Sequence, residues 1–244
     1  MSPNFSDYFS LKLMWSRLPD LIKKIPITLE LALFSFLVSI VIGLLIAIAR
    51  YKKIKVLSQI ATTFLSMIRG TPILIQLYVA YYGIPALLRI INSWGADIDV
   101  NIIPKMVYAF VALGLYQSAF TSETIRAALE SVDKGEIEAG TAMGMTYGQI
   151  LRRIIIPEAT ENALPGISNS IIGLIKGTSL ASTCGIIEIT YQNQILAGRD
   201  YRYLEGYVAL AIIYWVITIF LERIFKVIEK KVKIPEQPKA IEEK

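Results

Sequence analysis

Histidine is absent from this 244-residue chain, and cysteine occurs once, at Cys184. No imidazole is therefore available as a general base or metal ligand, and a single thiol excludes an intramolecular disulfide, a C-x-x-C pair and a zinc cluster. Cys184, inside an apolar run, reads as a small buried hydrophobe. No G-x-x-x-x-G-K-[ST] run is present, so the chain has no phosphate loop with which to bind and split ATP. Charge is scarce too: charged residues make up 18% of the chain against 54% hydrophobic, and the mean hydropathy is +0.52. A soluble domain of this length can build one sizeable core without several runs of membrane length, so the composition points to an integral membrane protein. The net charge of +5 is not gathered into a nucleic-acid-binding patch. Its basic residues lie just beyond apolar runs, as expected for membrane orientation.

Taken in order, the first twenty-five residues lack a signal-type apolar core, and no cleaved leader is expected. Within 5–25, Leu11, Trp15, Leu18, Ile22 and Ile25 recur at three and four, which fits either an amphipathic helix lying on the membrane or a plain polar lead-in. Residues 31–49 are uninterruptedly apolar and long enough to cross a hydrocarbon core of ~30 Å. Ser35, Ser39, Gly43 and Ala47 place small side chains on one face of that span, as close helix packing in lipid requires. Glu30 opens the span, and Arg50, Lys52, Lys53 and Lys55 follow it.

Residues 56–88 are mostly apolar and, as one helix, would measure ~50 Å, more than a bilayer holds. A break is predicted at 69–72, where Gly70 and Pro72 weaken the helix and Arg69 is costly in hydrocarbon. Arg69 then serves either as a snorkelling residue at a packing kink or as part of a gate. A third span is expected at 106–128, with Glu123 and Arg126 spaced to pair on one face. The fourth is expected at 167–187 after Pro165. Lys176 falls near its middle, where an unpartnered ammonium costs at least ~2.5 kcal/mol. It requires either a structural ion pair or a hydrated substrate path, and Asn169 shares its face. Residues 188–205 read as a polar external loop able to dock a partner, 206–221 as the fifth span, and the stretch from Pro235 as a disordered charged tail.

The longest polar-rich stretch between apolar runs is 131–157. Asp133 with Glu136, and Thr146 with Gln149, are capping-box pairs, and Gly144 between them suits a helix C-terminus. The second helix is expected to stop at or before Ile156 because of Pro157. Ala139, Gly140, Ala142 and Gly144 would let another protein approach the backbone closely.

Glu138-Ala139-Gly140, then Gly144, then Ile154, Ile156 and Pro157 resembles the EAA loop of permease subunits of ABC importers. In that family the loop docks into a groove of the ATPase. Gly140 stands where alanine is usual, and Ile156 where leucine is usual. Arg69-Gly70-Thr71-Pro72 with Gln76, Ser122-Glu123 with Arg126, and Lys176-Gly177-Thr178-Ser179-Leu180 with Glu188 are similar to the recurring motifs of polar amino-acid uptake permeases. Gly177 departs from the acid usual beside Lys176.

The resemblance implies an all-α integral membrane protein of the type I ABC importer permease kind, with about five transmembrane helices in a bacterial inner or plasma membrane. Counting basic residues places the N-terminus outside and the C-terminus in the cytoplasm, with fifteen Lys and Arg inside and eight outside. The expected division is an external segment at 1–25, a permease region at 26–229 with its coupling loop at 131–157, and a cytoplasmic tail at 230–244. Glu138, Ala139, Gly140, Gly144, Ile154 and Pro157 are expected at the ATPase contact. Glu30, Arg69, Pro72, Gln76, Glu123, Asn169, Lys176, Thr178 and Ser179 are candidates for the path or its gate. No cofactor is expected in this chain: ATP and Mg belong to a partner ATPase. The other implied partners are a solute-binding protein and a second permease, identical or similar. Leu57-Ser58-Gln59, residues 69–72 and Tyr81-Tyr82-Gly83 look like permeases assigned to cystine, with arginine, glutamine or another polar amino acid as alternatives.

Overall fold

The structure is a computed structural model, and it describes residues 9–233. Helices account for nearly all of it. Helix α1 (Leu11–Ile22) leads into α2 (Ile25–Tyr51), α3 (Lys55–Gly70), α4 (Ile73–Ser93) and α5 (Lys105–Glu130). The short α6 (Lys134–Ala142) and α7 (Tyr147–Ile150) follow, then a π turn (Leu151–Ile155) that runs directly into α8 (Ile156–Gly177). A 3-10 stretch (Thr178–Cys184), α9 (Ile189–Asp200) and α10 (Tyr203–Val232) complete the chain.

The centre of the fold is the packed pair α2 and α5, and small residues make it possible. Ser35, Ser39, Gly43 and Ala47 are all buried. The Ser39 and Thr121 hydroxyls meet at 2.7 Å. A Cβ on Gly114 would lie 2.6 Å from Val38 Cβ and 2.8 Å from the Ser35 carbonyl, so the two backbones approach as closely as a glycine allows. Leu31, Leu77, Leu113, Leu174 and Ala181 then form a core that joins α2, α4, α5, α8 and the 3-10 stretch.

Among the described residues, α2, α4 and α10 are each long and apolar enough to cross a membrane, and the helices of Tyr147–Cys184 and α9, which meet at a 48° bend, pass the same test only when taken together. Helix α5 is long enough at ~39 Å. Its apolarity is diluted by Ser118, Thr121 and Ser122, which bury fully against protein rather than lipid. The break expected at 69–72 falls at Thr71 and Pro72, between α3 and α4.

Four local expectations change. The helix after Thr146 does not stop at Ile156. Its π turn widens the winding, the Ile156 amide donates to the Leu151 carbonyl, and Pro157 sits in the first turn of α8, where its missing N–H costs least. Pro165 lies inside α8 and does not begin it. Residues 188–205 are largely helix, because the buried Glu188 side chain caps α9 by accepting from the Tyr191 amide at 2.9 Å. The N-terminal helix is not merely a surface segment. Leu11, Trp15 and Ile22 are exposed, but Met14 and Leu21 pack with Ile189, Ala209, Leu210 and Ile213. Arg17, 4% exposed, holds both oxygens of Asp200 at 2.7 Å and donates to the Arg202 carbonyl at 2.6 Å. That guanidinium also holds the Asp200 carboxyl below its usual range. Residues 5–8 of the expected first helix, and the tail expected from Pro235, lie outside the described residues.

Candidate functional site

The corner between α6 and α7 is built by short-range chemistry. Asp133 begins α6 by accepting from the Gly135 amide at 2.8 Å, a single cap in place of the box expected with Glu136. Helix α6 ends at Gly144, whose φ of +78° is the left-handed conformation glycine takes without strain. The Met145 amide then returns to the Gly140 carbonyl at 3.0 Å and closes the turn. Thr146 and Gln149 form the expected capping box, with Thr146 N–H donating to Gln149 Oε1 at 2.8 Å and Gln149 N–H donating to Thr146 Oγ1 at 3.4 Å.

The expected coupling residues divide into two groups. Gly140 is buried and does not offer its backbone to a partner: a Cβ there would meet Ile154 Cδ1 at 3.1 Å and Met145 Sδ at 3.4 Å, so the glycine lets α6 close on its own neighbours. Ile154 is a half-buried member of the same support, packed on a cluster of Ala128, Val132, Ile150, Ile155 and Ala159, and Pro157 is half-buried in the first turn of α8. Glu138, Ala139 and Gly144 face outward. Beside them stand Met143, 83% exposed, and Tyr147, 62% exposed, an apolar pair on an otherwise polar corner. The corner is therefore a rigid, internally braced knob with a small apolar tip. Its tip residues gave no periodicity signal, since each is isolated among polar neighbours.

Glu158 lies under this knob. One of its carboxylate oxygens is buried without a hydrogen-bond partner. Burial first, and then the neighbouring Glu136 charge, push its pKa up, against a backbone hydrogen bond from Asp133 that lowers it. The charged form is thus penalised in the folded state. The penalty is fully present above the raised pKa and vanishes below the ordinary carboxylate value. Glu158→Gln is expected to raise the melting temperature by about 1–2 °C at pH 7.5. That gain should shrink as the pH falls below 5 in thermal melts of the detergent-purified protein, and a gain independent of pH would contradict this origin.

The gate candidates assemble at the same end of the helices. Gln76 closes the broken joint between α3 and α4: its amide donates to the Ile68 carbonyl at 2.8 Å and to the Thr71 carbonyl and hydroxyl at 3.1 and 2.8 Å. Carbonyls that Pro72 leaves without a helical donor are thereby satisfied. Arg69 donates to the Ala119 carbonyl at 2.6 Å, lies over the Phe120 ring at 5.6 Å and reaches Glu123 at 3.5 Å. Glu123 also pairs with Arg50 of α2 and, at 2.8 Å, with Arg126, which in turn holds Glu130 at 2.6 Å. One carboxylate thus ties α2, α3 and α5. Arg50 entered the sequence reading only as a positive charge beyond a span, and a contact across 73 positions carries no local signature.

The remaining candidates do not join this node. Glu30 is exposed near the start of α2. Thr178 is buried with its hydroxyl donating to the Ile175 carbonyl at 2.7 Å, and Ser179 donates to the Lys176 carbonyl at 2.8 Å. Asn169 and Lys176 share the exposed face of α8 with Asn162 and Gly173. That face is a polar stripe on a crossing helix, open along one side of the chain.

Residues 39–234 match the family described as binding-protein-dependent transport system inner membrane component. The chain belongs to that family. This transport component is 39% identical over 222 residues to the probable amino-acid permease protein YxeN of Bacillus subtilis (strain 168), covering 91% of the chain and 95% of the relative. It is 35% identical over 225 residues to the L-cystine transport system permease protein TcyL of the same organism, covering 92% of each. It is 30% identical over 217 residues to the arginine transport system permease protein ArtQ, also of Bacillus subtilis (strain 168), covering 89% of the chain and 94% of the relative. A crystal structure of an amino acid ABC transporter with histidines superposes with a TM-score of 0.77 at 31% identity, covering 91% of this chain and 99% of the other. The fold is also that of the MetNI methionine ABC transporter in an inward-facing conformation, with a TM-score of 0.69 at 21% identity, covering 93% of this chain and 100% of the other. The transport component is thus a type I ABC permease in fold, placed in the bacterial inner membrane.

Proposed function

We propose that this chain is the membrane-spanning half of an ATP-driven importer for a polar amino acid, coupled through the α6–α7 knob to a separate ATPase and fed by a solute-binding protein. The observation that carries the reading is the braced knob, whose support residues turn inward while Glu138, Ala139, Met143 and Tyr147 turn outward. A surface of that kind transmits force as a rigid body. Nucleotide binding by a docked ATPase pair then favours one arrangement of the spans over the other, and the loaded binding protein biases the same equilibrium. With one such knob per chain and two ATP sites in transporters of this class, a second copy or a similar permease completes the path. The open polar stripe of α8 supports this, because Lys176 in the bilayer needs water or protein beside it. Cystine is our first choice of cargo on its motif resemblance and the likeness to TcyL, with arginine as the second because of the likeness to ArtQ.

The deciding experiment is uptake into proteoliposomes holding the chain with its ATPase and binding protein, over a panel of labelled amino acids that includes cystine and arginine. Saturable, ATP-dependent uptake of one of them is expected. An intact complex whose ATPase is stimulated by its binding protein, yet which moves none of the panel, would remove the amino-acid assignment. Glu138→Lys and Gly144→Val are expected to cut uptake at least tenfold while the spans stay folded. The first reverses charge on the outward face, and the second forces a β-branched residue to positive φ at a cost of about 1–3 kcal/mol. Wild-type rates of stimulated ATP turnover and uptake in both variants would rule out the knob as the coupling element. Lys176→Met should lower uptake several-fold with little change in melting temperature, and normal uptake kinetics would make Lys176 structural.

A further inference from the structure

A groove of about 470 Å³ runs along the outside of the fold between α2 and the segment that joins the knob to α8. Its walls are almost wholly apolar. Ile40, Leu44 and Ile48 line it from α2, and Leu151, Ile155 and Ile156 face them from the π turn and the start of α8. From Ile40 to Tyr51 the groove follows ~16 Å of helix, from mid-span to the end of α2. At that end the lining changes character to Tyr51, Lys52 and Tyr147. Lys52, the one cation of the lining, stands at the head of a basic run with Lys53 and Lys55, and Arg152 and Arg153 belong to the same π turn as Leu151 and Ile155 without lining the groove themselves. Among the described residues, none of these five cations makes an ion pair, whereas Arg50 and Arg126 of the neighbouring node are paired with Glu123 and Glu130. No carboxylate lines the groove.

We infer that the groove holds an acyl chain of an anionic phospholipid of the cytoplasmic leaflet, with its phosphate group against Lys52. The assignment rests on the inside location of the knob adopted above. An apolar channel parallel to a crossing helix fits a hydrocarbon chain. An uncompensated cation at its headgroup end, Lys52, with Lys53 and Lys55 following it in the chain, selects a negative lipid over a zwitterionic one. The occupant would touch Leu151, Ile155 and Ile156, and so would sit between the first span and the coupling knob. Packing there steadies the joint on which coupling depends, and an importer in purely zwitterionic lipid would lose that support.

The test places a single tryptophan in the groove. Leu44→Trp is made in a chain whose Trp15, Trp94 and Trp215 are changed to phenylalanine, with Ile48→Trp as a second reporter should the first not fold. The full chain with its ATPase is reconstituted in vesicles of phosphatidylcholine or phosphatidylglycerol carrying bromine on the acyl chain. Quenching by the brominated anionic lipid is expected at about fivefold lower mole fraction than by the zwitterionic one, the preference that one basic contact at a membrane surface supplies. The preference should fall to about one in Lys52→Gln. Equal quenching by both lipids would reduce the groove to ordinary lipid contact, and absence of quenching by either would mean that protein covers it. Either result overturns the proposal. Uptake measured in the same vesicles reports separately on the coupling reading, so failure of one is distinguishable from failure of the other.

Discussion

Gly114→Leu is expected to abolish the folded permease. A leucine places four heavy atoms where Val38 Cβ and the Ser35 carbonyl already stand, each under 3 Å from the position of the first new carbon. Val38 Cγ1 can rotate away, but Val38 Cβ and the Ser35 carbonyl are fixed to the backbone of α2 and cannot move without separating the two helices. Overpacking of this kind costs about 1–3 kcal/mol when side chains alone must yield, and more when backbone must shift. Against a total stability of about 5–15 kcal/mol, that leaves little folded protein. Separating the pair would also break the Ser39–Thr121 hydroxyl contact and leave two polar groups in an apolar interior. The expected readout is aggregation in size-exclusion chromatography, or a melting temperature about 10 °C lower if some protein survives. Gly114→Ala should be milder, and Val38→Gly should rescue it in part, since two of the three nearest atoms are the Cβ and Cγ1 of Val38. A Gly114→Leu variant that elutes and melts like the parent would mean that α2 and α5 do not pack at this depth.

Glu123→Gln should produce the second-largest loss. The substitution keeps the shape and removes the charge on which Arg50, Arg69 and Arg126 converge. Three guanidiniums would then face one another with Glu130 as the remaining acid in the node. Removing one partner of a fully buried ion pair costs about 3–5 kcal/mol. The Glu123 side chain is 26% exposed, so solvent screening brings the expected loss to about 2–3 kcal/mol. Added salt should recover part of it. Combining the change with Arg50→Gln should cost less than the sum of the two single changes, because the double variant also removes one of the repelling charges. Strict additivity in that cycle would show that the node does not bind α2 to α5.

These two sites differ in how far the amino-acid order revealed them. The small-residue face of α2 was legible because it is local: four residues at a spacing of four state both the helix and its closely packed side. The break at 69–72 was legible for the same reason, with glycine, arginine and proline acting within one turn. The Arg50–Glu123 pair was invisible, because nothing near either residue names the other. The stop expected at Ile156 failed for a different cause: Pro157 forbids a hydrogen bond only in a helix that requires one there, and the π turn removes the requirement. Residues 188–205 were misread as loop because polar content was weighed above the four-residue spacing of Ile189, Asn193 and Ala197, all of which are buried. Among the residues expected at the ATPase contact, the facing was not legible. Gly140 and Glu138 are two residues apart and point to opposite sides, one into the protein and one away from it.

The π turn at Leu151–Ile155 also sets an angular phase. Each residue advances an α-helix by about 100° around its axis. The wider turn therefore fixes how the knob is rotated about the axis of α8 as well as how far it stands from the spans. Deleting one residue between 151 and 155 would restore ordinary winding and preserve both helices, yet it would swing Gly140 and its neighbours away from Ile154 and aim the outward residues in a new direction. Two such chains with intact spans and intact knobs would present their tips out of step, like gears cut correctly and keyed to the shaft at the wrong angle.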